Sequence, residues 1–154
     1  MEIKLQKAYI SDCEEIHKMQ VKSFKNLLDK YDDINTNPGA ESLEKIISRM
    51  KQEFTDYYFI QLNDKNIGVI RIMRLKGNVC RISPMFILPE FQGKGFAQQT
   101  INAVEALYSQ ADSWKLDTIK EETKLCHLYE KMGYKKTGKE EVIQDNMTIV
   151  YYSK

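Results

Sequence analysis

Apolar and polar positions alternate over residues 2–8, with Ile3 and Leu5 on one side, and this period of two predicts an opening strand. The period lengthens after Ser11-Asp12, either of which can cap a helix running to about Leu28. Asn35-Thr36-Asn37-Pro38-Gly39 interrupts the pattern as a loop. Ser42 offers the next cap, and Leu43, Ile46, Ile47, Met50 and Phe54 recur beyond it at helical spacing.

The second half of the chain reads differently. Tyr57–Leu62 and Ile67–Leu75 are strand-like runs around a turn at Asn63-Asp64-Lys65-Asn66. Lys76-Gly77-Asn78 makes a further turn into a third run, Val79–Leu88. A glycine-bearing loop leads into the helical stripe Ala97, Ile101, Val104 and Leu107. Trp114–Ile119 is again strand-like. Leu125, Leu128, Tyr129 and Met132 form a last stripe, stopped by Gly133, before the strands Tyr134–Lys139 and Met147–Tyr152. The predicted order is β-α-α-β-β-β-α-β-α-β-β. Its central β-α-β unit implies parallel pairing inside a mixed, twisted sheet with helices on both faces, an α/β fold. Residues 1–154 suit a single domain.

Composition narrows the function classes. A formal net charge of +1, with both signs mixed along the chain, provides no field for nucleic acid or an anionic membrane. No apolar run has the length of a membrane span, and the opening residues lack the apolar centre of a signal peptide. Cys13, Cys80 and Cys126 fit neither a disulfide framework nor a zinc spacing, which points to a reducing cytoplasm. His17 and His127 lack a metal-ligand set, and no metal is expected.

The most informative segment is Ile87-Leu88-Pro89-Glu90-Phe91-Gln92-Gly93-Lys94-Gly95-Phe96-Ala97. It passes from a strand through two glycines directly into a helix. Glycines allow positive φ and close backbone approach, and a helix start presents unpaired N–H groups and a positive dipole end. Such a junction suits a pyrophosphate, and Lys94 can add a charge. The lysine lies between the glycines with no Ser or Thr after the second, so this is not the phosphate loop of nucleotide triphosphatases. The dinucleotide fingerprint is absent too. By itself such a Gly-x-Gly segment is more often an ordinary strand-to-helix connection.

Gln92-x-x-Gly95-x-Ala97, led by Phe86-Ile87-Leu88-Pro89-Glu90-Phe91, resembles the pyrophosphate signature of the GNAT N-acetyltransferase superfamily. Leu125-Cys126-His127-Leu128-Tyr129-Glu130-Lys131-Met132-Gly133-Tyr134 is similar to that family's second motif, in the right order and spacing. The resemblance implies acetyl-CoA as cosubstrate and direct acetyl transfer to a primary amine, small or peptidic. It places coenzyme contacts at Phe86, Ile87, Leu88, Gln92, Gly93, Lys94, Gly95, Phe96 and Ala97, and at Glu122, which stands where the family usually has a pantetheine-binding asparagine. Leu125 stands where the family usually has alanine. A homodimer is compatible with this reading. The alternatives are an acyl-CoA-binding module on the same fold and an unrelated nucleotide-binding regulator.

The chemistry needs an acid, a base and an oxyanion donor. Tyr129 lies on an apolar stripe and could simply be packed. In the resembling family a tyrosine here protonates the departing thiolate. Asp117 lies five residues before the asparagine position, where some members carry a catalytic glutamate. Its structural alternative is pairing with Lys115 or Lys120. Glu15, Asp29 and Asp32 are the next candidate bases. Pro84 cannot donate to a ladder, so a bulge or edge there would free N–H groups near Met85, Phe86 and Ile87. Residues 20–56 contain Asp29, Tyr31, Asp32, Asp33, Glu41 and Glu44. These would make an acidic mouth for a cationic amine if clustered, and an ordinary solvated surface if not.

Overall fold

The computed structural model describes residues 1–154. Seven strands form one sheet: β1 Lys4–Lys7, β2 Thr55–Leu62, β3 Lys65–Leu75, β4 Val79–Ile87, β5 Ser113–Ile119, β6 Lys135–Gln144 and β7 Met147–Ser153. Four helices cover it: α1 Cys13–Tyr31, α2 Leu43–Met50, α3 Phe96–Leu107 and α4 Thr123–Lys131. The spatial order is β1-β2-β3-β4-β5-β7-β6, and all neighbours are antiparallel except β4 and β5. The order and the mixed sheet are those expected from the pattern.

Each face has its own core. Ile60, Ile70, Ile72, Ile82, Leu116 and Val150 pack under α3 and α4 through Phe96, Ile101, Val104, Cys126 and Tyr129. Tyr57, Phe59, Val69, Phe86 and Leu88 pack under α1 and α2 through Cys13, Ile16, Met19 and Ile46. Ile67, Val69, Ile70 and Ile72 of β3 are all 0% exposed, so this strand is buried on both sides and joins the two cores. Each such side chain contributes about 1.5–3 kcal/mol by leaving water.

Local differences have local causes. Helix α1 continues three residues past Leu28 and ends at Asp32, which is left-handed with φ 54°. Asp12 flanks the helix start but accepts from Tyr9 N–H instead of a helix amide. Ser42 does cap α2, accepting from Lys45 N–H at 3.2 Å, while Phe54 lies beyond that helix and is 38% exposed. The β2–β3 turn needs only Asn63 and Asp64, both at positive φ, so Lys65 and Asn66 belong to the strand. Strand β6 runs to Gln144, well beyond Lys139. It is an edge strand exposed along most of its length, so no apolar alternation marks it.

No helix is long and apolar enough to cross a membrane.

Candidate active site

Strands β4 and β5 pair over only three positions, Val79–Ser113, Cys80–Trp114 and Arg81–Lys115. Beyond them β4 continues to Ile87 and β5 to Ile119 without pairing, so the centre of the sheet opens into a gap. The parting coincides with a bulge. Ile70 pairs with Met85 and Ile72 with Ile82, so Arg71 alone faces Ser83-Pro84. Pro84 therefore sits in an interior strand, bulged as expected, and the free edge is made by the gap.

Strand alternation decides which β4 amides reach the gap. Leu88 N–H donates to Ile67 O at 2.8 Å, and the register Val69–Phe86 lies two residues along. Phe86 and Leu88 thus direct their backbone groups toward β3, and Met85 and Ile87 direct theirs toward the gap. Gln92 Nε2 donates to Ile87 O at 2.8 Å, consistent with that direction. Of the expected contacts, Ile87 retains a gap-facing backbone. Phe86 and Leu88 do not. Their amides serve the sheet, and their side chains are buried in the α1–α2 core.

At the mouth of the gap, a 3-10 turn at Pro89–Phe91 leads through Gln92 to α3. Gly93 and Gly95 have φ of 75° and 84°, which L side chains rarely adopt. The first backbone bond of α3 is Gln99 N–H to Gly95 O. The amides of Gly93, Lys94, Gly95, Phe96, Ala97 and Gln98 donate to no group of the chain. Six consecutive free N–H groups at a helix start form an anion cradle. The Phe96 side chain is buried in the core, so only its amide serves here. Lys94 Nζ lies 5.9 Å from the Phe91 ring centroid.

Tyr129 stands on α4 beneath the other side of the gap, 8% exposed. It packs against Tyr134 at 6.2 Å and Tyr152 at 6.3 Å between ring centroids. These two rings anchor their own hydroxyls on Glu105 and Glu130. The Tyr129 hydroxyl has no hydrogen-bond partner in the chain. Burial, and then Asp117 and Cys126, push its pKa up, so it stays protonated and can donate.

Asp117 lies on β5 two residues past the last β4 pair. Neither Lys115 nor Lys120 holds it. Its Oδ2 pairs with Arg81 Nη2 across the gap. Burial raises its carboxyl pKa, and Arg81 only partly offsets that, leaving it above the ordinary carboxylate value. The side chain is 33% exposed. Glu15 accepts from Asn66, Asp29 pairs with Lys25, and Asp32 terminates α1, so none of the three joins this pair.

Glu122 has partners within the fold. It accepts from Lys30 Nζ at 2.6 Å and Tyr31 OH at 2.5 Å, and so ties the end of α1 to the start of α4. Burial pushes its carboxyl up, but these two donors outweigh it and hold the pKa below the ordinary value. Both donors bind Oε2, so that oxygen is engaged inside the fold. Nothing in the sequence relates Glu122 to Lys30 and Tyr31, which are more than ninety residues away. His17 also lies inside the fold, its Nε2 3.0 Å from Glu41 O.

The sheet thus parts between β4 and β5, with free amides suited to an anion at the mouth of the parting. Residues 29–154 match the family model described as acetyltransferase (GNAT) domain, and the chain belongs to that family of acetyl-CoA-dependent acetyltransferases. Solved structures share the fold at low identity. An acetyltransferase from Thermus thermophilus is 13% identical with a TM-score of 0.76, over 100% of this chain and 97% of the other. Spermidine N-acetyltransferase from Vibrio cholerae, in complex with CoA and spermine, is 20% identical with a TM-score of 0.77, over 99% and 95%. The ribosomal L7/L12 alpha-N-protein acetyltransferase RimL, in complex with coenzyme A, is 13% identical with a TM-score of 0.75, over 100% and 94%. No curated protein matches the chain by sequence.

Proposed function

We propose that this protein transfers an acetyl group from acetyl-CoA to a primary amine by direct attack. The six unpaired amides of Gly93–Gln98, at the mouth of the gap beside Ile87, carry the reading. In it the cradle binds the coenzyme pyrophosphate, and the gap-facing backbone of Met85 and Ile87 receives the pantetheine and acetyl groups. The Met85 N–H is the oxyanion donor. The amine nitrogen attacks the thioester carbon from the α1–α2 side, and its proton passes to Asp117. The carbon–sulfur bond then breaks, and Tyr129 protonates the departing thiolate.

The acceptors named for the solved relatives, spermine in one and a ribosomal protein in another, differ, so they support an amine without selecting one. The cytoplasm is the setting of the proposal, where buried free thiols at Cys13, Cys80 and Cys126 stay reduced. A homodimer is compatible with it. A second reading, an acyl-CoA-binding module, draws on the engagement of Glu122 within the fold. Calorimetry with acetyl-CoA, coenzyme A and ATP, followed by thiol release across amine classes, tests both. Acetyl-CoA binding with amine-dependent release is expected. Binding without release with any amine selects the binding module, and equal binding of ATP overturns the coenzyme assignment.

A further inference from the structure

The α1–α2 face of the sheet carries a polar row at the level of the gap. Tyr57 on β2 pairs in register with Arg71 on β3, and Asp117 on β5 pairs in register with Tyr151 on β7. Arg81 on β4 joins the halves, through its ion pair with Asp117 and its guanidinium 5.9 Å from the Tyr151 ring centroid.

Arg71 is the anomaly in this row. Of the chain's four arginines, Arg49, Arg74 and Arg81 each have a carboxylate partner and Arg71 has none. Yet it is the buried one, 4% exposed. Its Nε donates to Thr55 Oγ1 at 2.9 Å, Nη1 to Ser83 O at 3.0 Å and Nη2 to Gln52 Oε1 at 3.0 Å. That uses three of five N–H groups and provides no counter-charge. Burial lowers its pKa, Tyr57 and Glu41 oppose that, and Arg49 and Arg81 add to it, so Arg71 lies in the field of two other guanidiniums as well as a carboxylate. They share two carboxylates, Glu41 on Arg49 and Asp117 on Arg81. The Tyr57 hydroxyl is a second incomplete group here. It is sealed without a partner, and its ring centroid lies 6.0 Å from the Arg71 guanidinium. An unpaired buried cation is costly, and a guanidinium's planar fork matches carboxylate and phosphate oxygens.

Three of the five acids that could attract a cationic acceptor are engaged elsewhere, while Asp32 and Glu44 are exposed on the surface. Asp33 is buried and accepts from Asn35 and Thr36 amides, Glu41 accepts from Gln20 and Arg49, and Asp29 pairs with Lys25.

We propose that the acceptor is a primary amine that also bears a carboxylate or phosphate, with the anionic group held by Arg71 between Arg49 and Arg81 and the amine directed toward Asp117. This rests on the acetyl-transfer reading and names its substrate class.

The test measures thiol release from acetyl-CoA with matched acceptors: amino acids against their carboxamides, ω-amino acids against alkylamines of equal length, and aminoethyl phosphate against ethanolamine. Polyamines complete the panel. An anionic member is expected to exceed its neutral partner at least tenfold in kcat/KM, mainly through KM, and the pair that shows it separates carboxylate from phosphate. R71Q should bring that ratio toward one, and R71K should keep part of it. A purely structural Arg71 lowers both members together and leaves the ratio intact, which overturns the assignment. Ratios near one in the wild type, or preference for the neutral amines or polyamines, also overturn it, and they decide the matter if R71Q does not fold. In those cases acetyl transfer itself stands. No thiol release with any amine removes both readings.

Discussion

Arg81 and Asp117 form an ion pair across the point where β4 and β5 part, Arg81 on the last paired residue of its strand and Asp117 two residues past the last pair on the other. The pair spans the gap on its α1–α2 side and gives the proposed base a fixed place and a second, opposing influence on its pKa. Arg81→Gln removes the group that lowers the Asp117 pKa, so that pKa should rise further. Asp117 would then be protonated at higher pH, and the acid limb of the pH–rate profile should move upward. An unmoved limb in a folded variant would detach Asp117 from the rate.

Asp117→Asn keeps the volume and removes the proton acceptor. The rate at neutral pH should fall, and raising the pH should restore part of it, because an alkyl ammonium with a pKa of about 10.4 loses more of its proton unaided. Acetyl-CoA affinity should stay near wild type. A lower melting temperature with an unaltered pH–rate profile would make Asp117 a structural partner of Arg81 only.

Tyr129→Phe removes a hydroxyl that has no partner in the chain, so the packing against Tyr134 and Tyr152 should survive. If that hydroxyl protonates the thiolate, kcat should drop roughly ten- to a thousandfold with little change in coenzyme affinity. Unchanged single-turnover rates would leave Tyr129 as a packing residue.

Gly95→Val tests the cradle. A Cβ at Gly95 meets nothing within 4 Å, so the change adds atoms in open space beside the free amides and strains a backbone at φ 84°. Acetyl-CoA affinity should fall at least about tenfold, or ~1.4 kcal/mol. Gly77→Val is the matched control. That site also has positive φ and open surroundings, but it lies in the β3–β4 turn, so it should carry a similar strain without the loss of affinity.

Glu122→Gln tests the latch from α1 to α4. The folded-state pKa of Glu122 is depressed, so its contribution is present above the unfolded carboxylate pKa of about 4.3 and is lost as pH falls through the folded value. The variant should melt below wild type at neutral pH, and the difference should close as the solution is acidified below about pH 4. An acetyl-CoA affinity reduced tenfold at unchanged melting temperature would return Glu122 to coenzyme contact.

The sequence by itself determined the element order, a break in the ladder at Pro84, as bulge or edge, and the loop from Gln92 to Ala97. Each of these is written in neighbouring residues, as a period, a missing N–H or a pair of glycines next to a helix start. It left β6 short, because an exposed edge strand is held by backbone pairing and needs no apolar alternation. It could not assign partners to charges. Asp117 has Lys115 and Lys120 close in sequence, yet the sheet brings Arg81 of β4 beside it instead, and Lys120 pairs with Glu140. Glu122 is joined to Lys30 and Tyr31 only because α1 ends over the start of α4. Tertiary structure alone decided that Met85 and Ile87 face the gap while Phe86 and Leu88 do not. It also decided that Arg71 is buried without a carboxylate, because hydrogen-bond direction and burial depend on which strands lie alongside.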